Sequence, residues 1–502
     1  NRLMIFPGTV KVADLDQRHP VYAKYARIWD ELSWLYEAGE AIICHARELL
    51  LQRVREPEAM FRARIEAISY TSIIGQVIGW YEAAMFGEAP KIRRLVQNEV
   101  TEGPAQERFT EFLNNCDRGG SSYEQMWRKL LVDALLFRQG YVLVDLPKRD
   151  PSIVTKADEL EKMRPFLVRY DPRSVINWSE DDNGNLQWIW LYFRSEEEIP
   201  ESFPPKRQQV DTWLYYDRRN WARYERVRKE GSENEQEPEA RLVDAGEHAL
   251  ASENVVPVYR LKLSKGHWLG HRCYLTAKKH LNLSNALDWG LFNTAIAILV
   301  VTGELETQNV SELAFLQVNK DSSVSYLEQS GSSFAALQGR IEELKSDVFR
   351  QAYLLAQARS TNATPAAQSG VSKEADMTPS YEVAQAIGQM LIAGMKTILE
   401  WVLVLSEDQA EVEIAGFEFD DSDVMADLST VNEMTGMQIP SPTLDKELSK
   451  RAVRKGLPDL DKKLLEMIEA EIDSAPTRQE LEQQRRQEML QRVVQAGVPM
   501  QQ

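Results

Sequence analysis

Hydrophobic residues in the N-terminal part of the chain recur three or four positions apart. Between residues 22 and 86, this spacing predicts several aromatic-rich helices. A further helix is predicted over residues 123–137, because Ser121 and Ser122 are residue types that cap helix N-termini. The helix leads into a short apolar run at residues 141–144, which predicts a strand.

Residues 165–263 show a pattern typical of β-strands. Short runs of β-branched and aromatic residues, as at residues 188–192 and 213–216, are bounded by turn residues. Asn183-Gly184 is a strong hairpin signal between two such runs. We therefore expect an antiparallel, β-rich region here.

The second half of the chain returns to helical spacing with two interruptions. Helices are predicted over residues 274–294 and 339–358, on either side of a compact insert. A segment rich in Ser, Thr, Ala and Gly then predicts a loop over residues 359–378, and Pro379 suits the first position of a long helix. One face of the second helix is formed by Ile341, Leu344, Val348, Leu355 and Ala358.

The end of the chain is polar. Alternating apolar residues at Val412 and Ile414 predict a strand, and residues 421–502 are predicted to be helical. No internal repeat recurs at a fixed period.

Composition limits the possible classes of protein. At 502 residues with 43 % hydrophobic residues, the chain is long enough for two to four folded modules. The formal net charge of −18 disfavours a protein that grips nucleic acid tightly through its phosphates. It is compatible with a surface past which DNA slides, or with one that never meets DNA.

Neither disulfides nor a membrane span is expected. Cys44, Cys116 and Cys273 are too few and too scattered for a disulfide framework, which favours a reducing compartment such as the cytosol. The most apolar long stretch, residues 387–405, carries Lys396 and Glu400 and is interpreted as a soluble helix.

The chain contains no recognisable catalytic motif. Neither a phosphate-binding loop nor a nucleophile elbow is present. His267, His271 and Cys273 are too few for a zinc site, so ordinary polar contacts are expected. We expect no catalytic residues, no metal and no cofactor, and hence no enzyme. The tryptophans between residues 178 and 221 are expected to pack in the sheet rather than stack on bases.

Several features together suggest a family. Tyr-Glu-Ala-Ala-Met-Phe-Gly-Glu-Ala-Pro at 81–90 closes a helix, and Gly-Tyr-Val-Leu-Val-Asp-Leu-Pro at 140–147 follows one. Arg-Pro-Phe then precedes Ile-Asn-Trp within residues 164–178. The order of helix, insert, helix, loop and long helix occupies residues 274–405. Over roughly residues 20–420, this series resembles the portal proteins of tailed bacteriophages.

The resemblance implies an α+β fold with the parts of a portal protein. These would be a wing of helices and strands (1–273), a stem helix (274–295), a small α/β clip (296–338), a second stem helix (339–358), a tunnel loop (359–378), a long helix with a strand returning to the wing (379–420) and a helical crown (421–502).

The resemblance also implies a role and partners. About twelve subunits would form a ring at one vertex of the virion capsid, assembled in the host cytoplasm, and double-stranded DNA would pass through it during packaging and ejection. Partners would be the terminase large subunit, a head-tail adaptor, the major capsid protein and the scaffold, with no membrane.

Candidate contact residues follow from these implied parts. Residues expected at the DNA channel are Arg359, Asn362, Thr364, Ser369 and Lys373 of the tunnel loop, and Lys278 and Lys279 of the stem. Residues of the clip expected to contact the terminase and the adaptor are Glu304, Glu306, Lys320 and Asp321. Two other functions stay open, a non-portal scaffold or adaptor of the virion and a nucleic-acid-processing enzyme with an unrecognised site.

Overall fold

A computed structural model shows a chain of mixed α+β class, as predicted. The chain divides into two compact units, Asn1–Phe419 and Asp420–Gln502. The structure describes residues 5–87, 89–97, 99–148, 163–199, 204–228, 238–294, 298–302, 323–327, 332–360, 370–417, 442–456 and 462–474.

The N-terminal part of the first unit is largely helical. Its helices are α1 (Val12–Leu15), α2 (Pro20–Glu37), α3 (Gly39–Leu49), α4 (Glu58–Glu66), α5 (Ile73–Met85), α6 (Pro104–Asn114) and α7 (Tyr123–Phe137). At the start of α7, the Ser122 hydroxyl accepts a hydrogen bond from the Gln125 backbone, and the Gln125 side chain accepts one from the Ser122 backbone. This reciprocal cap satisfies two backbone donors and confirms the predicted start of the helix.

Antiparallel sheets make up the rest of the N-terminal half. The largest sheet has the strand order β1-β10-β9-β8-β7-β6, and a smaller one has the order β11-β4-β5. The strands are β1 (Thr9–Lys11), β2 (Lys91–Val96), β3 (Glu99–Val100), β4 (Gln139–Asp145), β5 (Phe166–Tyr170), β6 (Val175–Glu180), β7 (Leu186–Glu198), β8 (Arg207–Asp217), β9 (Asn220–Arg228), β10 (Glu239–Glu247) and β11 (Val258–Lys262).

The predicted hairpin at Asn183-Gly184 is confirmed. It joins β6 to β7, which pair antiparallel. Gly184 has a φ of +82°, a left-handed conformation that glycine adopts without a steric penalty. The Asp181 carboxylate accepts hydrogen bonds from the backbones of Asn183 and Asn185, which closes the turn. Trp178 and Trp213 of this region are buried, as predicted.

The second half of the first unit alternates helices with two short strand pairings. Its elements are α8 (Leu269–Thr294), β12 (Ile298–Thr302), β13 (Ser323–Leu327), α9 (Ser332–Gln351), α10 (Leu355–Ser360), α11 (Gly370–Leu405) and β14 (Glu411–Ala415). Strand β14 pairs antiparallel with β2, so the predicted strand near residue 412 does return to the N-terminal half.

The predicted second stem helix, 339–358, is broken in the structure. Helix α9 ends at Gln351, and Leu355 and Ala358 lie on the separate short helix α10. The Leu354 backbone donates to the Phe349 carbonyl, and the Tyr353 backbone donates to the Arg350 carbonyl, around a left-handed Tyr353 with φ +63°. This is the usual termination of a helix by a left-handed residue, but with tyrosine where glycine is common, so no local residue signalled the break.

The predicted tunnel loop is shorter than expected at its C-terminal end. Helix α11 begins at Gly370, so residues 370–378 are helical and Pro379 lies inside the helix. Lys, Glu, Ala and Met in residues 373–377 are good helix formers, which outweighs the local loss of one hydrogen bond at a proline. The remaining loop residues 361–369 lie outside the described residues.

Helix α11 is a core helix of the first unit. By length and composition alone, its part Met377–Leu405 could cross a membrane. In the folded chain, however, its apolar residues, such as Ile387 and Leu391, are fully buried in one continuous cluster with α2–α10. The apolar face is therefore explained by the core, in agreement with the interpretation drawn from Lys396 and Glu400.

The second unit is described by two helices. These are α12 (Pro442–Gly456) and α13 (Lys462–Ser474), and the rest of the predicted helical region 421–502 lies outside the described residues. Lys450 of α12 pairs with the Asp473 carboxylate of α13 at 2.7 Å, and Lys446 donates to the Asp473 carbonyl at 2.6 Å.

Gly394 allows α11 to approach α7 and β11 closely. A Cβ atom at this position would lie 2.5 Å from the Tyr259 hydroxyl and 2.6 Å from the Trp127 ring. Because both neighbours belong to the packed core, Gly394→Ala should lower the free energy of unfolding by about 1–3 kcal/mol. Urea unfolding followed by tryptophan fluorescence measures the change.

Gly79 provides the matched control. It also lies inside a helix, α5, but a Cβ there would meet no atom within 4 Å. Gly79→Ala should therefore raise the free energy of unfolding by up to about 1 kcal/mol, through helix propensity alone. Equal effects of the two substitutions would contradict the close approach at Gly394.

Candidate functional site

Helices α8 and α9 form an antiparallel pair, termed the helix pair. Near the start of α8, the Cys273 thiol donates to the Val348 carbonyl of α9 at 3.5 Å. Near the end of α8, a Cβ on Gly290 would lie 2.8 Å from the Phe334 ring at the start of α9. With 26 residues, α8 is roughly 39 Å long at 1.5 Å per residue.

Strands β12 and β13, termed the strand pair, lie between the two helices in sequence. They pair antiparallel from Ile298 opposite Leu327 to Thr302 opposite Ser323. The order is thus helix, strand, strand, helix, with the strands following the end of α8 at which Gly290 meets Phe334. The predicted clip, 296–338, contains the strand pair and the first turns of α9.

A buried arginine holds the middle of α8 against α4. The Arg64 side chain is 2 % exposed and donates to the Glu56 carboxylate at 2.8 Å, to the Leu51 carbonyl at 2.8 Å and to the Asn285 side chain at 2.7 Å. Asn285 of α8 donates in turn to the Arg64 carbonyl at 3.2 Å. The hydrogen bond from Arg64 lowers the pKa of the Glu56 carboxyl. All three guanidinium nitrogens therefore donate hydrogen bonds, as a buried charge requires.

A buried glutamate holds the first half of α8 against α2. Glu31 is 2 % exposed and accepts from the Tyr274 hydroxyl and the Lys278 ammonium, each at 2.5 Å. Arg27 adds a contact at 3.1 Å. Burial opposes ionisation of Glu31, but the hydrogen bonds from Lys278 and Tyr274 outweigh it and lower the pKa of the carboxyl. The carboxylate is therefore kept charged inside the fold.

Arg272 joins the two helices of the helix pair where α8 begins and α9 ends. Its guanidinium donates to the Gln351 carbonyl at the end of α9 at 3.0 Å and lies 4.6 Å from the centre of the Tyr353 ring. An arginine satisfies a free carbonyl at a helix C-terminus and interacts favourably with its partial negative charge. The start of α8 and the end of α9 are thus tied together.

The two stem lysines predicted to lie at the DNA channel have different environments in the structure. Lys278 is 19 % exposed and engaged with Glu31, whereas Lys279 is exposed. The pairing makes Lys278 a structural residue of α8, which weakens its case as a DNA contact. Sequence alone could not distinguish the two lysines, because the partner lies on another helix 247 residues away.

Few of the other predicted contact residues fall on described side chains. Arg359 is exposed near the end of α10, and the backbone at Lys373 is helical, in the first turns of α11. Asn362, Thr364 and Ser369 lie outside the described residues. So do the predicted terminase and adaptor contacts of the clip, Glu304, Glu306, Lys320 and Asp321.

The described residues form no metal site. Among them, no group of three or more His, Cys, Asp and Glu side chains could hold an ion. His271 stacks on the Trp268 ring at 4.3 Å, and the Cys273 thiol donates to a backbone carbonyl. On α8, these His and Cys side chains therefore take part in ring stacking and hydrogen bonding.

Sequence reasoning missed Arg64, Glu31 and Asn285, on which the position of α8 depends. The available signal was spacing, because Arg64 follows the buried Phe61 by three residues and so lies on the apolar side of α4. A charged residue on such a face predicts a buried partner, but not its identity.

Removal of Arg64 should loosen α8. Arg64→Ala leaves Glu56 buried without its cation and Asn285 without its donor, so the free energy of unfolding should fall by about 3–5 kcal/mol. Denaturant unfolding measures this loss of stability. In the same variant, hydrogen exchange of the α8 amides should become faster.

Arg62 is the matched control on the same helix. Its side chain is 70 % exposed and contacts Glu58 at 3.4 Å. Arg62→Ala should change the free energy of unfolding by less than about 1 kcal/mol. A comparable loss in both variants would show that the buried cluster does not hold α8.

Comparisons with known proteins find similar chains among solved structures. No protein-family model matches the chain, and no curated protein does. A chain from the virion of a native gene transfer agent (GTA) particle is 10 % identical, with a TM-score of 0.41, over 81 % of this chain and 98 % of that one. A chain from the neck of an empty GTA particle is 10 % identical, with a TM-score of 0.39, over 79 % of this chain and 95 % of that one. Likenesses with such low TM-scores carry no argument about function.

Proposed function

We propose that this protein is a portal subunit of a phage-type particle, one copy in a ring of about twelve through which double-stranded DNA passes. The observation that carries the proposal is the antiparallel helix pair with a strand pair inserted between its helices. This arrangement coincides with the stem and clip that the order of sequence motifs implies. A long core helix and a strand returning to the N-terminal half follow it, also in the implied order.

The contacts that hold α8 in place suit a stem helix that must keep its direction under force. Arg64 and Glu31 fix this helix to α4 and α2 at two places along its length, and Arg272 ties it to the end of α9. Buried charge pairs tolerate little displacement, because separating the partners leaves an uncompensated charge in the interior. A helix pair held in this way can keep its direction while DNA is driven past it.

Weak electrostatic attraction to DNA is consistent with a surface past which DNA slides rather than one that holds the DNA. The chain has a formal net charge of −18, and the pairing of Lys278 with Glu31 removes one candidate phosphate contact. Lys279, Arg359 and Lys373 stay candidates for transient contacts. A few contacts give a low affinity, as a sliding surface requires, because the electrostatic attraction to DNA grows with the number of phosphates that the protein neutralises.

In this proposal the protein is structural and carries out no catalysis. The clip would dock the terminase large subunit during packaging and a head-tail adaptor afterwards, while other surfaces would meet the major capsid protein and the scaffold. The protein would therefore be a component of the virion. The polar side chains of Glu304, Glu306, Lys320 and Asp321 would set the rate and specificity of docking at the clip.

The ring is the first testable consequence. The purified protein should assemble to a mass near twelve times the 57.5 kDa of one chain, with heterologous contacts that close on themselves. Mass photometry gives the copy number, and negative-stain electron microscopy should show rings with a central hole. A stable monomer or dimer under all assembly conditions would contradict the proposal.

DNA contact by the loop before α11 is the second consequence. Deletion of residues 362–369 should leave the ring mass unchanged but reduce the amount of DNA packaged or retained in particles several-fold. The control is deletion of residues 230–237, an equally long charged segment between β9 and β10. Normal DNA content after deletion of 362–369 would show that this loop is only a linker.

A further inference from the structure

The connection between α3 and α4 is held in a fixed conformation beside α8. The Leu51 backbone N–H donates to the Asn282 side chain of α8 at 2.8 Å, and the Leu51 carbonyl accepts from Arg64 at 2.8 Å. The Glu56 carboxylate, which is also bound by Arg64, accepts from the Arg53 backbone at 3.0 Å. Because these bonds belong to the buried cluster that holds α8, the connection and the helix form one continuous, well-ordered surface.

Three large apolar side chains on this surface face solvent. Leu51 is 71 % exposed and Val54 is fully exposed on the connection, and Leu275 is 73 % exposed on α8. Leu275 lies seven residues, or two helical turns, before Asn282, which binds the Leu51 backbone, so both leucines border the outer side of α8. Exposed apolar groups on a fixed backbone lose little conformational freedom on docking, which favours a contact with another protein.

Cations lie among these apolar side chains. Arg53 and Arg55 on the connection and Lys279 on α8 are exposed. The acidic side chains beside them are already paired within the chain, namely Glu31 with Lys278, Glu56 with Arg64, and Glu58 with Arg47 and Arg62. The surface therefore carries a local positive charge in a chain whose formal net charge is −18. We term it the connection patch, formed by Leu51, Arg53, Val54, Arg55, Leu275 and Lys279.

The chemistry of the connection patch fits a protein surface better than DNA. Phosphate and sugar groups bind cations and polar groups, but they offer no apolar surface to cover Leu51, Val54 and Leu275. Protein interfaces, in contrast, combine apolar side chains with arginine. The partner expected here is therefore a protein surface that is acidic and partly apolar.

The net charge of the chain makes another copy of itself a suitable partner. Copies that each carry a formal net charge of −18 repel one another, so a stable contact between them needs local charge complementarity. A patch of positive charge on an otherwise acidic molecule supplies it, because most of the surface that a second copy presents is acidic. The same patch would be repelled by a basic partner.

We propose that the connection patch is the surface through which one copy of this chain binds the next copy in the ring. This inference rests on the proposed function, because it assigns a contact within the portal ring. Arg53, Arg55 and Lys279 face carboxylates of the neighbouring copy, and the three apolar side chains pack against it. Each copy then contributes the patch to one neighbour and an acidic surface to the other, which is a heterologous contact that closes into a ring.

Carbodiimide cross-linking tests the contact at Lys279, because this reagent joins a lysine amine directly to a carboxylate. Unlabelled and nitrogen-15-labelled full-length chains are mixed before assembly, cross-linked and digested for mass spectrometry. Peptides that join Lys279 to an Asp or Glu should include pairs with mixed labels, which can come only from two copies. Lys279→Arg keeps the charge but removes the reactive amine, so these cross-links should disappear while the mass of the assembly stays the same.

Charge reversal tests the contribution of the patch to assembly. Arg53→Glu combined with Arg55→Glu sets acid against acid at every contact, so the fraction of chains in rings should fall at least about tenfold in mass photometry. Val54→Asp should act in the same direction, and its side chain is too exposed to affect folding. The matched control is Lys206→Glu combined with Arg207→Glu, which changes the net charge equally at exposed positions where β8 begins. Its ring fraction should stay within about twofold of the wild type.

The outcomes distinguish this inference from the proposed function. Wild-type rings that persist in the Arg53 and Arg55 variant, or that give no mixed-label cross-link at Lys279, refute the contact and leave the portal proposal standing. An assembly other than a ring that depends on the connection patch supports the contact and contradicts the portal. Monomers without mixed-label cross-links contradict both. Rings of unaltered mass that lose binding to a short DNA duplex in the variant would identify DNA as the partner and overturn the inference.

Discussion

The burial of two charged side chains beside α8 constrains the rest of the first unit. Arg64 and Glu31 are both 2 % exposed, and a charge so far from water is tolerated only with partners in good geometry. Partners of the two side chains, Asn285, Lys278 and Tyr274, lie on α8. The helix can neither slide nor rotate without leaving a charge unpaired, so these pairs fix its direction relative to α2 and α4 together with its packing in the core.

Close backbone packing extends this constraint into the core. At the start of α8, a Cβ on Gly270 would lie 3.0 Å from the Leu136 carbonyl, and the preceding Trp268 donates to that same carbonyl. At α11, Gly394 permits a comparable approach to Trp127 of α7. Helix α7 therefore contacts both later helices through positions where no side chain fits.

The distribution of charge distinguishes cations that hold the fold together from cations that could contact DNA. Lysines and arginines that look equivalent in the sequence have different environments, since Lys278 is engaged with a buried acid while Lys279 faces solvent. In an acidic chain, each cation held by an internal acid reduces the attraction to phosphate at the surface. In the proposed portal, a stem whose Lys278 is engaged inside the fold would let DNA pass without retaining it.

Local signals in the sequence were enough for the α+β class, the cap at Ser122, the hairpin at Gly184 and the strand at β14, because each depends on neighbours within a few residues. Tertiary structure alone decided the break at Tyr353, where Arg272 of another helix supports a left-handed residue that is not glycine. It also decided which charges are buried, because Arg64 and its partner Asn285 are 221 residues apart. No periodicity or composition encodes such a pairing, since it exists only once the helices have packed.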